Sequence, residues 1–548
     1  MFSRAFSFLC IAIFSLIATL PLFHQGLLPT HDGEYHVVRF YEFHKMISDG
    51  VWYPRWAPDL LYGLGVPLFN YVYPLPNYVA SFLHFFGTSF IDAFKLQMVL
   101  ATVIGAVFFY AWSSKFWGTM GGITASVLYT FSPYHLVDIY VRGSVGEVWA
   151  LALFPFYLWA ISLFFLDNNK KMIPLISVSL ALIIFSHNIL ALMFFGFSLF
   201  YAMFLIIARK INVIQTVLFT ISLGLGLGIS AMFWLPAIFE KQYVTGLQIY
   251  ETRDHFLELY QLIFPSWGSG FSGAGSGNQM SFQIGVVNML AVVVSIVLIG
   301  VACIKRALHG KGIVAFFLLW FFLTIYFMLP VSSYFWKEVP LFSYFQFPWR
   351  FLSLEILIAS FLVGYVVSVF GSRLFSYVFI LIAILFTIGY TKPAYYLNRD
   401  DSYYVTRSNF IDGTNSPGNV FNTIWMREQE KREKEKLRIL SGDGVVISQR
   451  IRPSSYSFFI EGRTDLEVLL FTSYFPGWTI FLDGQQSRMK ETDGIITFSV
   501  PKGRHFVEVA FFDTMVRRIS WYIAFVSFFG IFFIVMKPFF KKSHENRN

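Results

Sequence analysis

Twelve apolar runs, most of them near the thickness of a lipid bilayer, constrain this chain more than any other feature. They are Ala5–Phe23, Ala93–Trp112, Gly118–Phe131, Val148–Leu166, Met172–Phe185, Ile189–Ile207, Ile214–Ala237, Ile284–Ile304, Ile313–Leu329, Phe351–Phe370, Leu374–Tyr390 and Ile519–Val535. A helix needs about 20 apolar residues to cross the hydrocarbon layer, and inside it only helices or closed barrels satisfy their backbone. The expected fold is therefore a polytopic α-helical membrane protein with about 12 transmembrane helices. Gly118–Phe131 and Met172–Phe185 are the two short candidates. Residues are 56% hydrophobic and 13% charged, which no soluble core could accommodate. The net charge of +9 does not point to nucleic acid, because the basic residues end apolar runs instead of interleaving with aromatics in a groove. Cys10 and Cys303 both fall in apolar runs, which excludes a disulfide framework. Met1–Leu20 lacks a small-x-small cleavage site and is read as an uncleaved first helix.

Charge asymmetry sets the expected orientation. If Tyr71–Phe86 does not span, one side collects Lys115, Lys170, Lys171, Arg209, Lys210, Lys305, Arg306, Lys311, Arg373, Lys541 and Lys542. Pro67, Pro74 and Pro76 interrupt that segment, so it is expected to be amphipathic or re-entrant. Both termini then lie in the cytoplasm. Residues 24–92, 132–147, 238–283, 330–350 and 391–518 share the outer face. Three domains are expected: 1–391, a transmembrane domain with first outer loop 24–92; 392–518, an extracytoplasmic mainly β domain; and 519–548, the last helix with a basic tail. Within the first loop, His36–Asp49 carries Val37, Phe40, Tyr41 and Ile47 at helical spacing. Arg39, Glu42, Lys45 and Asp49 form an opposite stripe read as a solvated face.

From Lys392 charge returns. Arg427–Arg438 is expected as a solvated helix. Alternating stretches follow at Val445–Arg450, Ser455–Glu461, Leu466–Ser473, Trp478–Leu482, Ile495–Val500 and Phe506–Phe511. Turn signals such as Asp483-Gly484 and Asp493-Gly494 lie between several of them, which predicts a β-sandwich-like module before the last helix.

Proton-transfer and anion-binding residues concentrate on the outer side. His31-Asp32-Gly33-Glu34-Tyr35-His36 places two carboxylates and two imidazoles in one loop. Either carboxylate could take a proton from an attacking hydroxyl, or bind a metal with His31 or His36; a plain polar loop is the alternative. In Arg142-Gly-Ser-Val-Gly-Glu147, with His135 and Asp138 upstream, the arginine suits a phosphate. Glu147 suits either the same cavity or the start of a helix. Ser186-His187-Asn188 divides two short apolar runs and is expected at membrane depth. In Gln346-Phe-Pro-Trp-Arg350, Arg350 is either an interfacial anchor or the cation for a lipid-linked phosphate. Gly224-Leu-Gly-Leu-Gly228 lies within a helix and reads as close packing, not as a nucleotide loop.

Asp32-Gly-Glu-Tyr-His36, Gly50-Val-Trp-Tyr-Pro-Arg-Trp56, Gly63-Leu-Gly-Val-Pro-Leu-Phe69 and Tyr73-Pro-Leu75 resemble bacterial membrane proteins labelled pyruvoyl-tetrahydropterin-synthase-related. Phe347-Pro-Trp-Arg350 and Tyr474-Phe-Pro-Gly-Trp478 with Asp483-Gly484 resemble the related YfhO-type proteins. Both groups are similar to the GT-C superfamily of membrane glycosyltransferases, which use polyprenyl-phosphate sugars and an essential acidic residue in the first outer loop. The resemblance implies a GT-C-like fold in a bacterial inner membrane. It also implies inverting sugar transfer from a polyprenyl-phosphate donor to a cell-envelope acceptor (glycan, lipid or protein). Asp32 aligns with the acidic position and Glu34 is the second catalytic candidate. Arg350 and Arg142 would hold the donor phosphate, with His31, His36, Glu147 and His187 as supporting cavity residues. Many such enzymes have adjacent acidic residues, whereas Gly33 separates Asp32 from Glu34, which leaves dependence on a divalent metal open. The expected partners are the sugar lipid, the acceptor and membrane lipid. The competing functions are a transporter or flippase and a non-catalytic subunit of polysaccharide assembly.

Overall fold

The computed structural model describes residues 4–246, 252–273, 277–305, 311–406, 419–427 and 432–545. The longer helices are, in chain order, α1 (Arg4–Thr19), α2 (Gly33–Ser48), α3 (Leu75–Phe85), α4 (Phe90–Thr130), α5 (Val145–Leu166), α6 (Ile173–Ser186) and α7 (Asn188–Arg209). They continue with α8 (Val213–Ile229), α9 (Ala231–Phe239), α10 (Val286–Lys305), α11 (Lys311–Met328), α12 (Leu352–Phe370), α13 (Arg373–Thr387) and α14 (Met515–Glu545).

The chain is a multi-pass membrane protein. Among the described residues, eight helices are long and apolar enough to cross a bilayer. The count is nine if α8 and α9, bent by 67° at Ser230, form one span. The twelve expected runs exceed this number for identifiable reasons. Runs 93–112 and 118–131 both lie in the 41-residue α4, which breaks at Gly118 (φ 69°, ψ −177°), a left-handed conformation that glycine adopts without a side-chain penalty. The two parts of α4 then pack antiparallel: Ser126 Oγ donates to the Ala106 carbonyl at 2.6 Å, and Tyr129 stacks on Phe109 at 4.4 Å. Helix α6 has only 14 residues, about 21 Å of rise against a layer of about 30 Å. In α10 the apolar stretch Val286–Val301 is likewise short. Segment 71–86 contains the 11-residue α3, too short to cross. Of the spaced glycines of α8, Gly226 and Gly228 serve packing as expected, since a Cβ would strike the Ser177 carbonyl or the Ser527 side chain, whereas Gly224 borders open space. Helices α5 and α12 are the most enclosed (83% and 89% of their apolar windows buried), and α14 is peripheral (17%).

Helix α2 follows the expected apolar spacing, but its charged stripe is not a solvated face. Glu42 is buried and accepts from the Asp59 amide at 3.0 Å, and Lys45 pairs with Asp59 at 2.5 Å. Asp49 accepts from the Ser454 hydroxyl at 2.6 Å. Loop 51–66 and the β domain cover this side of the helix.

Among the described residues, the strands before α14 are β1 (Leu437–Ser441), β2 (Gly444–Ile451), β3 (Ser455–Gly462), β4 (Leu466–Ser473), β5 (Trp478–Leu482), β6 (Gln485–Ser487), β7 (Met489–Thr492), β8 (Ile495–Val500) and β9 (Gly503–Phe511). They form two antiparallel sheets, β1-β4-β8-β7 and β2-β3-β9-β5-β6. Their inward residues, among them Phe458, Ile460, Val468, Leu470, Ile496, Val507 and Val509, share one buried cluster. Strands β4 (Leu466–Ser473), β5 (Trp478–Leu482) and β8 (Ile495–Val500) have the expected bounds. Asp483-Gly484 and Asp493-Gly494, all four residues at positive φ, close the β5–β6 and β7–β8 hairpins. Of the run 427–438, expected as a solvated helix, the described residues 432–436 form no helix. Residues 428–431 lie outside the described residues, and Leu437 already opens strand β1. Arg432 and Lys436 instead donate to the carbonyls of Asp59 and Gly63, both at 3.0 Å. Backbone carbonyls need donors when a loop is covered, and these basic side chains supply them.

A buried carboxylate ties this module to the helices. Glu240, just after α9, accepts from Asn70 at 2.9 Å, from Thr514 at 2.6 Å, and from Arg517 Nε and Nη2 at 3.0 and 2.8 Å. Between Lys392 and the sandwich, Asp401 accepts from the Phe90 and Ile91 amides at 2.6 and 3.1 Å, placing a carboxylate on the positive end of α4.

Candidate functional site

The site grows from a local motif. Helix α5 starts just after Gly143 and carries Glu147 in its first turn, where the helix dipole favours a carboxylate. Gly143 sits at φ 64°, and a Cβ there would overlap the Thr30 hydroxyl. The chain can therefore lie against the first loop: the His31 and Asp32 amides donate to the carbonyls of Val141 and Arg142 at 3.0 and 2.9 Å. The hexapeptide and the arginine segment, more than a hundred residues apart, are thereby held edge to edge.

Glu147 is the hub, and no solvent reaches it. Arg142 clasps it with both terminal nitrogens at 2.6 Å, and Arg350 donates to Oε1 at 2.7 Å. The Tyr134 hydroxyl donates to Oε2 at 3.2 Å, and His187 Nε2 lies 3.7 Å from Oε1. Arg142 also pairs with buried Asp138 and lies over the Trp349 ring at 4.7 Å. Bidentate guanidinium–carboxylate pairing of this kind is the strongest geometry available to such a pair.

Arg350 is held differently. Its Nη1 goes to Glu147 and its Nη2 to Gln346 Oε1 at 2.9 Å, while Nε is buried with no partner. Gln346 adopts φ 63°, a strained value for a side chain of this size. The guanidinium also packs over Phe347 and Trp349 at 5.5 and 5.6 Å. Of the two arginines expected at a phosphate, Arg142 engages two carboxylates through its terminal nitrogens, and Arg350 keeps a buried Nε–H with no partner.

Asp32 precedes α2 without capping it, and its carboxylate accepts no hydrogen bond among the described residues. Arg39 and Tyr73 feel its charge. Burial lowers the Arg39 pKa, and the Tyr73 phenol is raised by burial. The Tyr73 ring lies beside His187 at 5.2 Å, tilted by 42°. It fits only because Gly146 has no side chain: a Cβ there would enter the Tyr73 ring and the Ser186 carbonyl. His36 is buried between Phe40 and Phe94; burial, Arg39 and His187 all push its pKa well below the usual histidine range, so the ring is neutral. Burial likewise brings His135 down to about 4.

Two expected members face elsewhere. Glu34 pairs with Arg399 at 3.0 Å and accepts from Tyr404 at 3.3 Å, on the side toward residues 399–404. His31 Nε2 contacts the Ser269 carbonyl at 2.7 Å and its ring meets Phe271 edge-on. Tyr73, Tyr134 and Gln346 carry parts of the site that the sequence did not single out. Arg39 had been assigned to the solvated stripe. Gln346 had one legible signal, its place four residues before Arg350. Among the described residues no three His, Cys, Asp or Glu side chains come together as a metal site, so a protein-only ligand set is not assembled here.

A multi-pass helical membrane protein with a β-sheet domain before its last helix, and with a buried ion-pair centre at one end of its bundle, is the class these features define. Residues 69–397 match the family described as 6-pyruvoyl-tetrahydropterin synthase related domain, a membrane protein family, and the chain belongs to it. An uncharacterized protein of Lactococcus lactis subsp. cremoris (strain MG1363) is 25% identical over 242 residues, covering 42% of this chain and 39% of that protein. The fold is similar to arabinofuranosyltransferase AftD from Mycobacteria (TM-score 0.45, 16% identity, 72% of this chain and 27% of that one). It is also similar to ArnT from Cupriavidus metallidurans, solved bound to undecaprenyl phosphate (TM-score 0.33, 10% identity, 66% and 78%). A third similar structure is the Archaeoglobus fulgidus oligosaccharyltransferase (TM-score 0.36, 14% identity, 70% and 52%). The chain thus spans well under half the length of the Lactococcus protein and of AftD.

Proposed function

We propose that this protein transfers a sugar from a polyprenyl-phosphate donor to an acceptor hydroxyl at the outer face of a bacterial inner membrane, with both termini in the cytoplasm. The observation that carries the reading is the pairing of two incompletely satisfied groups at one end of the bundle. One is the Asp32 carboxylate, which accepts no hydrogen bond among the described residues; the other is the unpartnered Nε–H of Arg350. The backbone bond from Asp32 to Arg142, and the clasp of Arg142 and Arg350 on Glu147, link the two groups.

In this reading Asp32 takes the proton of the acceptor hydroxyl as its oxygen attacks the anomeric carbon. The bond from that carbon to the phosphate oxygen breaks, its electron pair leaves with the polyprenyl phosphate, and configuration inverts. Arg350 Nε meets the negative charge that grows on the departing phosphate, where a preorganised donor is worth most. Arg142, Glu147, Tyr134 and Gln346 hold Arg350 in place, and neutral His36 and His187 keep added positive charge away from Asp32. The helices would hold the polyprenyl tail. The acceptor and the sugar belong to the same proposal.

Purified full-length protein in lipid nanodiscs, given radiolabelled polyprenyl-phosphate sugar and an envelope glycan acceptor, tests the assignment. Transfer is expected without any gradient across the membrane. Asp32→Asn should abolish it while leaving expression and thermal unfolding unchanged. Wild-type transfer by Asp32→Asn would sink the proposal, and gradient-driven movement of the lipid without transfer would favour a transporter instead.

A further inference from the structure

Residues 71–78 carry three tyrosines, Tyr71, Tyr73 and Tyr78, and two of them have structural partners. Tyr71 donates to the Glu240 carbonyl at 2.8 Å and Tyr78 to the Trp52 carbonyl at 2.6 Å. Tyr73 is placed differently. It precedes Pro74, which disfavours a helical backbone at this residue, and α3 starts only at Leu75. Its own carbonyl accepts from Asn77 Nδ2 at 3.0 Å, which fixes the backbone from which the ring departs.

The ring then reaches the ion-pair hub. A Cβ on Gly146 would meet Cζ and Cε2 of Tyr73, so the hydroxyl-bearing end of the ring lies against the first turn of α5, one residue before Glu147. Its other neighbour, His187, is itself 3.7 Å from Glu147. The hydroxyl nevertheless bonds to no described residue. Tyr73 is half-buried, and this oxygen is not among the polar atoms that packing seals off. Asp32 is in the same condition, half-buried with a carboxylate that accepts no hydrogen bond among the described residues. The charges of Asp32, Glu147 and Arg350 all act on the Tyr73 phenol, so the hydroxyl lies within reach of both the base and the phosphate cation of the transfer reading. Burial raises its pKa, and the group stays a neutral donor at physiological pH.

We infer that the Tyr73 hydroxyl is a catalytic donor to the oxygen that links the anomeric carbon to phosphorus in the sugar lipid. The inference rests on the transfer reading above. Asp32 then serves the attacking oxygen and Tyr73 the departing one. As the bond from carbon to the linking oxygen breaks, its electron pair stays on that oxygen, which leaves with the phosphate. The phenol donates a hydrogen bond to it and keeps its own proton. Such a bond strengthens as charge develops on the oxygen, so it favours the transition state over the bound donor.

Tyr73→Phe keeps the ring against Gly146 and His187 and removes the hydroxyl alone, so its thermal unfolding should match wild type. Transfer by the full-length protein in nanodiscs is measured with two donors. One is the polyprenyl-phosphate sugar; the other carries sulfur, a weak hydrogen-bond acceptor, in place of the linking oxygen. With the oxygen donor, Tyr73→Phe should lower kcat about 10- to 100-fold, the effect of one hydrogen bond to a charged group, and leave KM for the donor nearly unchanged. With the sulfur donor the two proteins should agree within about twofold, because neither then has a strong bond at that atom. A purely structural role for Tyr73 would lower transfer equally with both donors, and that result would overturn the inference. Wild-type transfer by Tyr73→Phe, with Asp32→Asn inactive, would overturn it too while leaving the transfer reading in place. Absence of transfer by wild type would remove both together.

Discussion

Replacing Glu147 with alanine removes the carboxylate on which two buried guanidiniums converge. Four of its contacts lie within hydrogen-bonding distance: two from Arg142 at 2.6 Å, one from Arg350 at 2.7 Å and one from Tyr134 at 3.2 Å. After truncation Arg142 still has Asp138, and Arg350 keeps only the neutral Gln346. One positive charge is then left buried without a counter-charge, a situation that costs about 3–5 kcal/mol. Chemical denaturation of purified protein, followed by intrinsic fluorescence, reads this directly. The double variant Glu147→Ala/Arg350→Met should recover much of the loss, because it removes the orphaned charge along with its partner, and a double-mutant cycle would show strong coupling. A loss below about 1 kcal/mol in the single variant, or additive effects in the cycle, would mean that Arg350 finds water or another acceptor, and the account of the hub would be wrong.

Two further predictions concern the first loop and its neighbours. Burial and the nearby Asp59 raise the Glu42 pKa to about 8, so the folded state holds a proton that the unfolded chain gives up near 4.5. Stability from this group is complete below the unfolded value and is lost as pH rises through the folded one. Wild type should therefore weaken between pH 6.5 and 8, by at most about 1.4 kcal/mol per pH unit, while Glu42→Gln should show a flatter profile in denaturation at stepped pH. Gly146→Ala should destabilise by about 1–3 kcal/mol through overlap with Tyr73 and Ser186, and should impair transfer more than an alanine on the lipid side of α5.

The membrane class was legible because lipid and water sort residues by transfer energy, a property each segment carries alone. The strands β4, β5 and β8 were legible for a similar reason. Alternation of period two and aspartate–glycine turns are local signals, and the Asp483-Gly484 and Asp493-Gly494 pairs do close hairpins. Local reading failed where burial comes from a distant part of the chain. The stripe of α2 has the spacing of a solvated face, yet the β domain and loop 51–66 cover Glu42 and Asp49. The charged run 427–438 has helical composition, but Arg432 and Lys436 are drawn to loop carbonyls more than 370 residues away in sequence.

The same division runs through the site. Arg142 and Glu147 are five residues apart, so their partnership is close to a property of the sequence. Asp32 and Glu34 are two apart and look equivalent as letters, but Asp32 precedes α2 while Glu34 lies in its first turn, and the two carboxylates face different surroundings. That Arg350, 203 residues from Glu147, completes the hub, and that His187 and Tyr73 close around it, was decided only by tertiary packing. The sequence by itself determined which segments enter the lipid and which residues must leave it, because that is a matter of solvation summed along the chain. Which of them meet depends on helices that cross in three dimensions, and on Gly143 and Gly146, whose missing side chains let distant backbone segments touch.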